Sequence, residues 1–139
     1  MVQLIVGEKG KGKTKQLLEK VNSEIKSISG NIVFLDKSTK HMYELNNKVR
    51  LIDVSDYFID NPDIFAGFIC GIISQDHDLE QIYCDNLLVL SKADLTNLDA
   101  LLDKLEPIGE KYGVDFVFSL SAKEEDLPPK AKSKVIISL

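Results

Sequence analysis

The amino-acid sequence predicts a three-layer α/β fold, in which a mostly parallel sheet carries helices on both faces. Three observations lead to this fold class. Short apolar runs alternate with longer segments whose apolar residues recur every three or four positions, as in strands that alternate with helices. A glycine-rich segment, residues 7–14, directly follows the first apolar run. Asn61 and Pro62, a good cap and a good first helical residue, open an apolar segment of helical period.

The size and composition of the chain indicate one soluble domain over residues 1–139. The chain is 44% hydrophobic and 28% charged, which is ordinary for a globular protein. Its net charge of −5 provides no general basic field, so nothing indicates nucleic-acid binding. Lys130, Lys132 and Lys134 follow two prolines and are interpreted as a solvated loop.

Several features predict a cytoplasmic protein without membrane insertion. The first apolar run stops at a charged glycine loop, unlike a signal peptide. The apolar run from Phe65 to Ile73 is too short to cross a bilayer. Cys70 and Cys84 have no metal-binding spacing and lie among apolar neighbours, which is typical of buried free thiols in a reducing compartment.

Residues 7–14 read G-x-x-x-x-G-K-T, the spacing of a phosphate-binding loop, or Walker A motif. Glycines let successive backbone N–H groups turn toward a phosphate, and a following helix adds the positive end of its dipole. Lys13 is expected to reach phosphate oxygens, and the Thr14 hydroxyl is expected to hold Mg²⁺. The predicted nucleotide-binding residues are Gly7, Gly10, Lys11, Gly12, Lys13, Thr14 and Lys15. The chain is thus predicted to be one minimal nucleotide-binding domain.

The remaining elements follow in the order that a parallel sheet requires. The first helix is predicted from about Lys13 to Ile28, with Gly30 ending it. Strands are predicted at residues 31–35 and 49–54, where β-forming residues dominate. Between residues 64 and 73 the apolar positions recur at helical spacing, which predicts a helix after Asn61.

The last third of the chain repeats this alternation. A strand is predicted at residues 81–85, and a helix is predicted from Leu95 to Ile108 with Gly113 closing it. Strands at residues 115–120 and 134–139 complete the sheet. In such a sheet ligands bind at the carboxyl ends of the strands, where the glycine loop also lies.

A phosphate loop needs an acidic partner for Mg²⁺ at the end of an apolar strand, and two aspartates qualify. Asp85 ends the strand Ile82–Cys84, and Asp53 ends the run that starts at Val49. If Asp85 is the partner, the predicted metal ligands are Thr14 and Asp85, and one strand lies between the loop strand and the acidic strand. Ser119 or Ser121 would then end that inserted strand.

If Asp53 is the partner, the chain is a degenerate small GTPase-like protein. Ser91 to Asp94 resembles the N-K-x-D guanine motif, with residues 87–90 as its strand, and Ser121 to Lys123 resembles the S-A-K guanine loop. The guanine motif lacks its asparagine, however, and residues 64–73 would have to form a strand against their helical period. That period favours Asp85. A non-catalytic scaffold that keeps the loop is a third interpretation.

The chain resembles short P-loop ATP-binding proteins of low-GC Gram-positive bacteria, some of which are labelled twitching-motility ATPases. The stretches that carry the resemblance are MVQLIVGEKGKGKT, HMYELNNKVRLID, FAGFICGIISQD and QIYCD. The strand order resembles the additional-strand division of P-loop NTPases, to which RecA-like and AAA-like ATPases belong. This resemblance implies a P-loop NTPase-like fold that binds nucleotide, with a polar residue on the inserted strand sensing the terminal phosphate.

The expected activity is binding of ATP and Mg²⁺ with slow or absent hydrolysis, as in a nucleotide-dependent switch. ATPases of this division place a glutamate after the metal aspartate, whereas Asn86 stands here. Asparagine cannot act as a base at neutral pH, and no catalytic residue is assigned. Arg50, the chain's single arginine, precedes its strand and is a poor transition-state finger. A protein partner or self-association stays open.

Overall fold

The structure is a computed structural model that describes all residues from Met1 to Leu139. The strands are β1 (Val2–Gly7), β2 (Asn31–Asp36), β3 (Arg50–Asp53), β4 (Leu79–Asp85), β5 (Asp115–Ser121) and β6 (Val135–Ser138). The helices are α1 (Lys13–Glu24), α2 (Pro62–Ser74), α3 (Leu87–Ser91), α4 (Leu98–Tyr112) and α5 (Pro129–Lys132). Short 3₁₀ turns occupy Met42–Glu44, Val54–Asp56 and Glu124–Asp126.

All six strands join one parallel sheet in the order β3-β2-β4-β5-β1-β6. Strand β5 therefore lies between β1, which leads into the glycine loop, and β4, which ends at Asp85. This is the order that the ATPase-like interpretation predicts. The predicted α/β architecture, a parallel sheet with helices on both faces, is confirmed.

Alternation along the strands separates two apolar layers, one on each face of the sheet. On β1, Leu4 and Val6 belong to the larger core cluster, while Ile5 belongs to the smaller one. The larger layer packs against α2, α3, α4 and α5, and the smaller one packs mainly against α1. Both faces are covered, which explains why the strands read as nearly continuous apolar runs.

Helix α2 forms as its sequence predicts. The Asn61 side chain accepts a hydrogen bond from the backbone N–H of Ile64 at 2.9 Å, and Pro62 occupies the first turn. Phe65 and Ile69 are fully buried against the sheet. The GTPase-like interpretation requires a strand here, so the helix contradicts it. No helix of this protein, α2 included, has the length and apolar character needed to cross a membrane.

Residues 87–90, a strand in the GTPase-like interpretation, instead begin helix α3, and this expectation was wrong. The Asn86 side chain caps α3 by accepting a hydrogen bond from the backbone N–H of Leu88 at 3.2 Å. The chain therefore turns into a helix immediately after Asp85. With a helix in both places, the GTPase-like strand order has no counterpart in the sheet.

Two predicted helix ends were displaced by a few residues. Helix α1 ends at Glu24, because the backbone N–H groups of Lys26 and Ser27 bond three residues back instead of four. Helix α4 starts at Leu98, because the Asp94 carboxylate accepts hydrogen bonds from Thr96 and forms a turn before the helix.

The segment after the prolines is a docked helix, α5, and the prediction of a solvated loop was wrong. Asp99 on α4 accepts hydrogen bonds from the backbone N–H groups of Lys130 and Ala131 at 3.0 and 2.9 Å. Lys130 and Lys134 both pair with Glu106, and these two partners hold the pKa of the Glu106 carboxyl below its usual range. These contacts fix the chain ahead of β6.

The two cysteines lie in different environments. Cys84 is buried in β4, as predicted, while Cys70 is exposed on α2, contrary to the prediction. Position 70 lies on the side of the α2 helix opposite the buried Phe65 and Ile69 stripe, so an apolar neighbourhood in sequence did not imply burial in the fold.

We expect Ile69→Ala to lower the free energy of unfolding by about 2–5 kcal/mol, because it opens a cavity under α2. Ile64→Ala is the matched control on the same helix, since Ile64 is 42% exposed. Its cost should stay below about 1 kcal/mol. Urea denaturation of the nucleotide-free protein measures both values. Equal losses for the two variants would contradict the packing of α2 described above.

Candidate nucleotide-binding site

The glycine loop joins β1 to α1 and has a backbone that requires glycine at two positions. Gly10 and Gly12 adopt φ values of +85° and +93°, which side-chain-bearing residues rarely adopt. Gly12 is the residue that caps α1, so the first helical N–H groups open directly into the loop. Unpaired N–H groups at a helix start are a ready anion-binding arrangement.

Lys13 is folded into the loop and is only 7% exposed. Its ammonium group donates a hydrogen bond to the Glu8 carbonyl oxygen at 3.1 Å, across the space that the loop encloses. Burial lowers the pKa of Lys13, and the nearby negative charge of Asp85 opposes that shift. The Lys13 ammonium group therefore lies within the glycine loop and not in bulk solvent.

Asp85 is the point at which the loop meets the sheet. The Thr14 hydroxyl donates a hydrogen bond to Asp85 Oδ2 at 2.9 Å, and the Ser119 hydroxyl donates one to Oδ1 at 2.7 Å. Thr14 lies in the first turn of α1, Asp85 ends β4, and Ser119 lies on the inserted strand β5. The two predicted metal ligands, far apart in sequence, are thus adjacent. The chain has a P-loop NTPase-like fold.

Asp53 takes no part in this arrangement. It ends β3, and β2 separates that strand from β4. Its carboxylate accepts hydrogen bonds from the Ser55 amide at 3.0 Å and from the Ser55 hydroxyl at 2.6 Å. These bonds hold the pKa of the Asp53 carboxyl below its usual range. Asp53 stabilises a local 3₁₀ turn and does not face Thr14.

A cavity of about 460 Å³ lies over the loop and the carboxyl ends of β2 and β4. Although the whole chain is acidic, this cavity is lined by more cationic than anionic side chains. The charged lining consists of Lys9, Lys13, Lys37, Lys40, Asp36 and Asp85. Val89 is its single hydrophobic residue. The site is therefore built for a charged ligand and offers little surface for stacking an aromatic base.

Three of the predicted binding residues do not line the cavity. Gly7 is buried at the end of β1, while Lys11 and Lys15 are exposed. Lys15 borders a neighbouring groove together with residues of α1. Their assignment as binding residues stays a prediction. By contrast, Gly10, Gly12, Lys13, Thr14 and Asp85 all line the cavity.

Sequence reasoning missed Asp36 and His41, which line the same cavity. Asp36 ends β2 in register with Asp85 on β4, and it is only 2% exposed. Burial raises the pKa of its carboxyl, and the Asp85 charge raises it further. An aspartate that ends an apolar strand was an available signal. His41 carried none, because only the path of the loop after β2 brings it here.

The two serines of the inserted strand β5, Ser119 and Ser121, lie in different environments. Ser119 is buried and donates a hydrogen bond to Asp85, so it orients the predicted metal ligand. Ser121 is exposed, lines the cavity, and accepts a hydrogen bond from the Asn86 amide at 2.6 Å. Of the two, Ser121 is the one whose hydroxyl lies at the cavity.

The residues of the supposed guanine motifs are not brought together. Ser91 is buried and accepts a hydrogen bond from the backbone of Ala93 at 3.2 Å. Asp94 is exposed and is engaged by Thr96 in the turn before α4. Lys123 borders a different groove, at the end of the chain. No carboxylate from this set reaches the cavity, so none can read a guanine there.

No family model and no curated protein matches the sequence. Among solved structures, the chain is similar to the pCW3 conjugation coupling protein TcpA in its monomer form with ATPγS. The TM-score is 0.41 and the identity is 15%, over 96% of this chain. The chain spans 46% of that structure's length. The narrower resemblance to P-loop proteins of low-GC Gram-positive bacteria stays a prediction.

We expect Lys13→Ala to abolish nucleotide binding and leave the fold intact. The lysine is the one buried cation of the loop, and it belongs to neither apolar core cluster. Isothermal titration with Mg-ATP measures binding, and thermal denaturation checks the fold. Lys20→Ala, two turns along α1, is the matched control and should bind as the wild type does. Wild-type affinity in Lys13→Ala would remove the loop assignment.

We also expect Asp85→Asn to weaken Mg²⁺-dependent nucleotide binding at least tenfold, an effect of about 1.4 kcal/mol or more. Asp53→Asn, at the end of a more distant strand, should change it less than twofold. The reason is that Asp85 contacts Thr14 while Asp53 contacts Ser55. Titration of each variant with ATP, with and without Mg²⁺, gives the comparison. The reverse ranking would restore Asp53 as the metal partner.

Proposed function

We propose that this chain binds ATP together with Mg²⁺ in the lysine-lined cavity, hydrolyses it slowly or not at all, and acts as a nucleotide-dependent switch. One observation supports this proposal above the others, the hydrogen bond between Thr14 and Asp85. The motif predicts a hydroxyl ligand and the strand pattern predicts a carboxylate ligand. Their adjacency gives Mg²⁺ one oxygen from each, which suits its preference for few protein ligands and several waters.

The residues present fit the expected ligand. Gly10 and Gly12 give the loop its open curve, and Lys13 supplies a cation within it. Lys9, Lys37 and Lys40 add positive charge around the cavity. When bound, Mg²⁺ would neutralise charge on the phosphate oxygens. The chain's own groups would hold the triphosphate, chiefly through backbone N–H groups and lysines.

ATP is favoured over GTP because the carboxylate of the predicted guanine motif does not reach the cavity. Guanine is distinguished from adenine through a hydrogen-bond acceptor such as a carboxylate placed at its edge. Asp94, the predicted guanine reader, is exposed and bonded to Thr96 outside the cavity. A non-catalytic scaffold is the remaining alternative, and binding measurements distinguish it.

Slow hydrolysis follows from the groups around the phosphate site. Asn86 is engaged twice, because its amide donates to Ser121 and its carbonyl caps α3. Arg50 lies at the start of β3, at the sheet edge opposite the loop, where it approaches Asp76 at 3.7 Å. A finger supplied by a partner accelerates known switches by roughly 10³–10⁵. The isolated chain supplies no such group.

Thermal denaturation with ATP, GTP or ADP, each with and without Mg²⁺, tests the binding proposal. Mg-ATP at a hundredfold excess over its dissociation constant should add about 2.7 kcal/mol to the unfolding free energy. Lys13→Ala should show no such shift. A shift with GTP alone would favour the GTPase-like interpretation. The absence of any shift would favour the scaffold.

We expect phosphate release from saturating Mg-ATP to proceed nearer to roughly 10⁻³ per second than to one per second, as in unassisted switches. Lys13→Ala provides the background rate for contaminating activity. Turnover above about one per second, in the range of working enzymes, would overturn the switch proposal. Asp36 would then be the first carboxylate to test as a catalytic group, since it is the one besides Asp85 that lines the cavity.

A further inference from the structure

We propose that Asp36, His41 and Asp85 form a second cation site, which takes a divalent first-row metal ion such as zinc in the nucleotide-free chain. Each residue offers one ligand atom, and these atoms lie within 4.8 Å of one another. Tetrahedral ligands about 2.1 Å from one ion lie roughly 3.4 Å apart. Shifts of up to about 0.8 Å for each atom therefore bring the three atoms onto one ion at ordinary bond lengths.

Asp36 carries an unsatisfied oxygen into this site. Its Oδ1 accepts a hydrogen bond from the Lys37 amide at 2.7 Å, but its buried Oδ2 has no hydrogen-bond partner. The residue is 2% exposed and lines the cavity beside Asp85. Neither carboxylate forms an ion pair. A buried, unpaired acceptor beside a second carboxylate is costly, and a shared cation satisfies both.

His41 is oriented by a carboxylate outside the three-ligand set, that of Glu44, as metal-binding histidines commonly are. Its Nδ1 is hydrogen-bonded to Glu44 Oε2 at 2.9 Å, which leaves Nε2 as the free ring nitrogen. The turn that carries both residues is anchored to α1. Asn22 donates to the Glu44 carbonyl oxygen at 2.8 Å and accepts from the Asn46 amide at 2.8 Å. The imidazole is therefore held over the sheet end.

The ligand set distinguishes this ion from magnesium. Mg²⁺ takes oxygen ligands and keeps several waters, whereas zinc and similar ions accept imidazole readily. Three protein ligands leave one position open for water. Asp85 keeps capacity for a metal, because each of its oxygens accepts a single hydroxyl bond and a carboxylate offers about four lone pairs. The site needs no nucleotide, although it shares Asp85 with the proposed Mg²⁺ site.

Zinc binding to the full chain, measured by competition with a chromophoric chelator, tests this inference. All variants carry Cys70→Ala, because that exposed thiol could bind zinc by itself. We expect one zinc per chain, and a loss of affinity of at least about tenfold in His41→Ala and in Asp36→Asn. His77→Ala removes the other histidine, an exposed residue in the turn before β4, and should bind zinc as its parent does.

Nitrogen-15 NMR supplies a readout that does not depend on the variants folding. The chain has two histidines, so each imidazole is resolved, and zinc should shift the Nε2 signal of His41 and leave that of His77 in place. Absence of zinc binding, or equal affinities of His41→Ala and His77→Ala, would overturn the inference. ATP binding measured without zinc reports on the proposed function alone, so either idea can fail while the other stands.

Discussion

The hydrogen bonds that Asp85 accepts from Thr14 and Ser119 are the contacts on which the site depends. They join the first turn of α1, the end of β4 and the inserted strand β5 at one carboxylate. These hydrogen bonds fix the position of the glycine loop relative to the sheet. The positions of Lys13 and of the cavity follow from that constraint.

The cavity holds buried polar and charged groups in unfavourable environments, which the rest of the fold avoids. Asp36 keeps a buried oxygen without a donor, and Lys13 is buried with its charge directed to a backbone carbonyl. At the opposite end of the sheet, the carboxylate of Asp76 has a hydrogen-bond donor, the side chain of Asn31. Native proteins tolerate such unsatisfied groups mainly at functional sites. The remaining stability comes from the two apolar layers on the sheet.

Helix α2 decided between two interpretations that shared the same glycine loop. Its apolar period and its cap at Asn61 are local signals, and the structure confirms both. A strand there would have moved the acidic partner to Asp53. The predictions that were wrong concern segments where tertiary contacts override weak local sequence patterns. The two prolines before Lys130 suggested a loop, yet Asp99 on α4 supplies the acceptors that cap a short helix.

The sequence by itself determined the α/β fold class, the glycine loop with Lys13 and Thr14, and the choice of Asp85 instead of Asp53 as the carboxylate beside Thr14. These features depend on period, spacing and caps, which are properties of neighbouring residues. The tertiary structure alone decided that Asp36 lies in register with Asp85 and that His41 lies within reach of both. Strand register and loop path bring these side chains together, and no pattern of adjacent residues encodes such pairing.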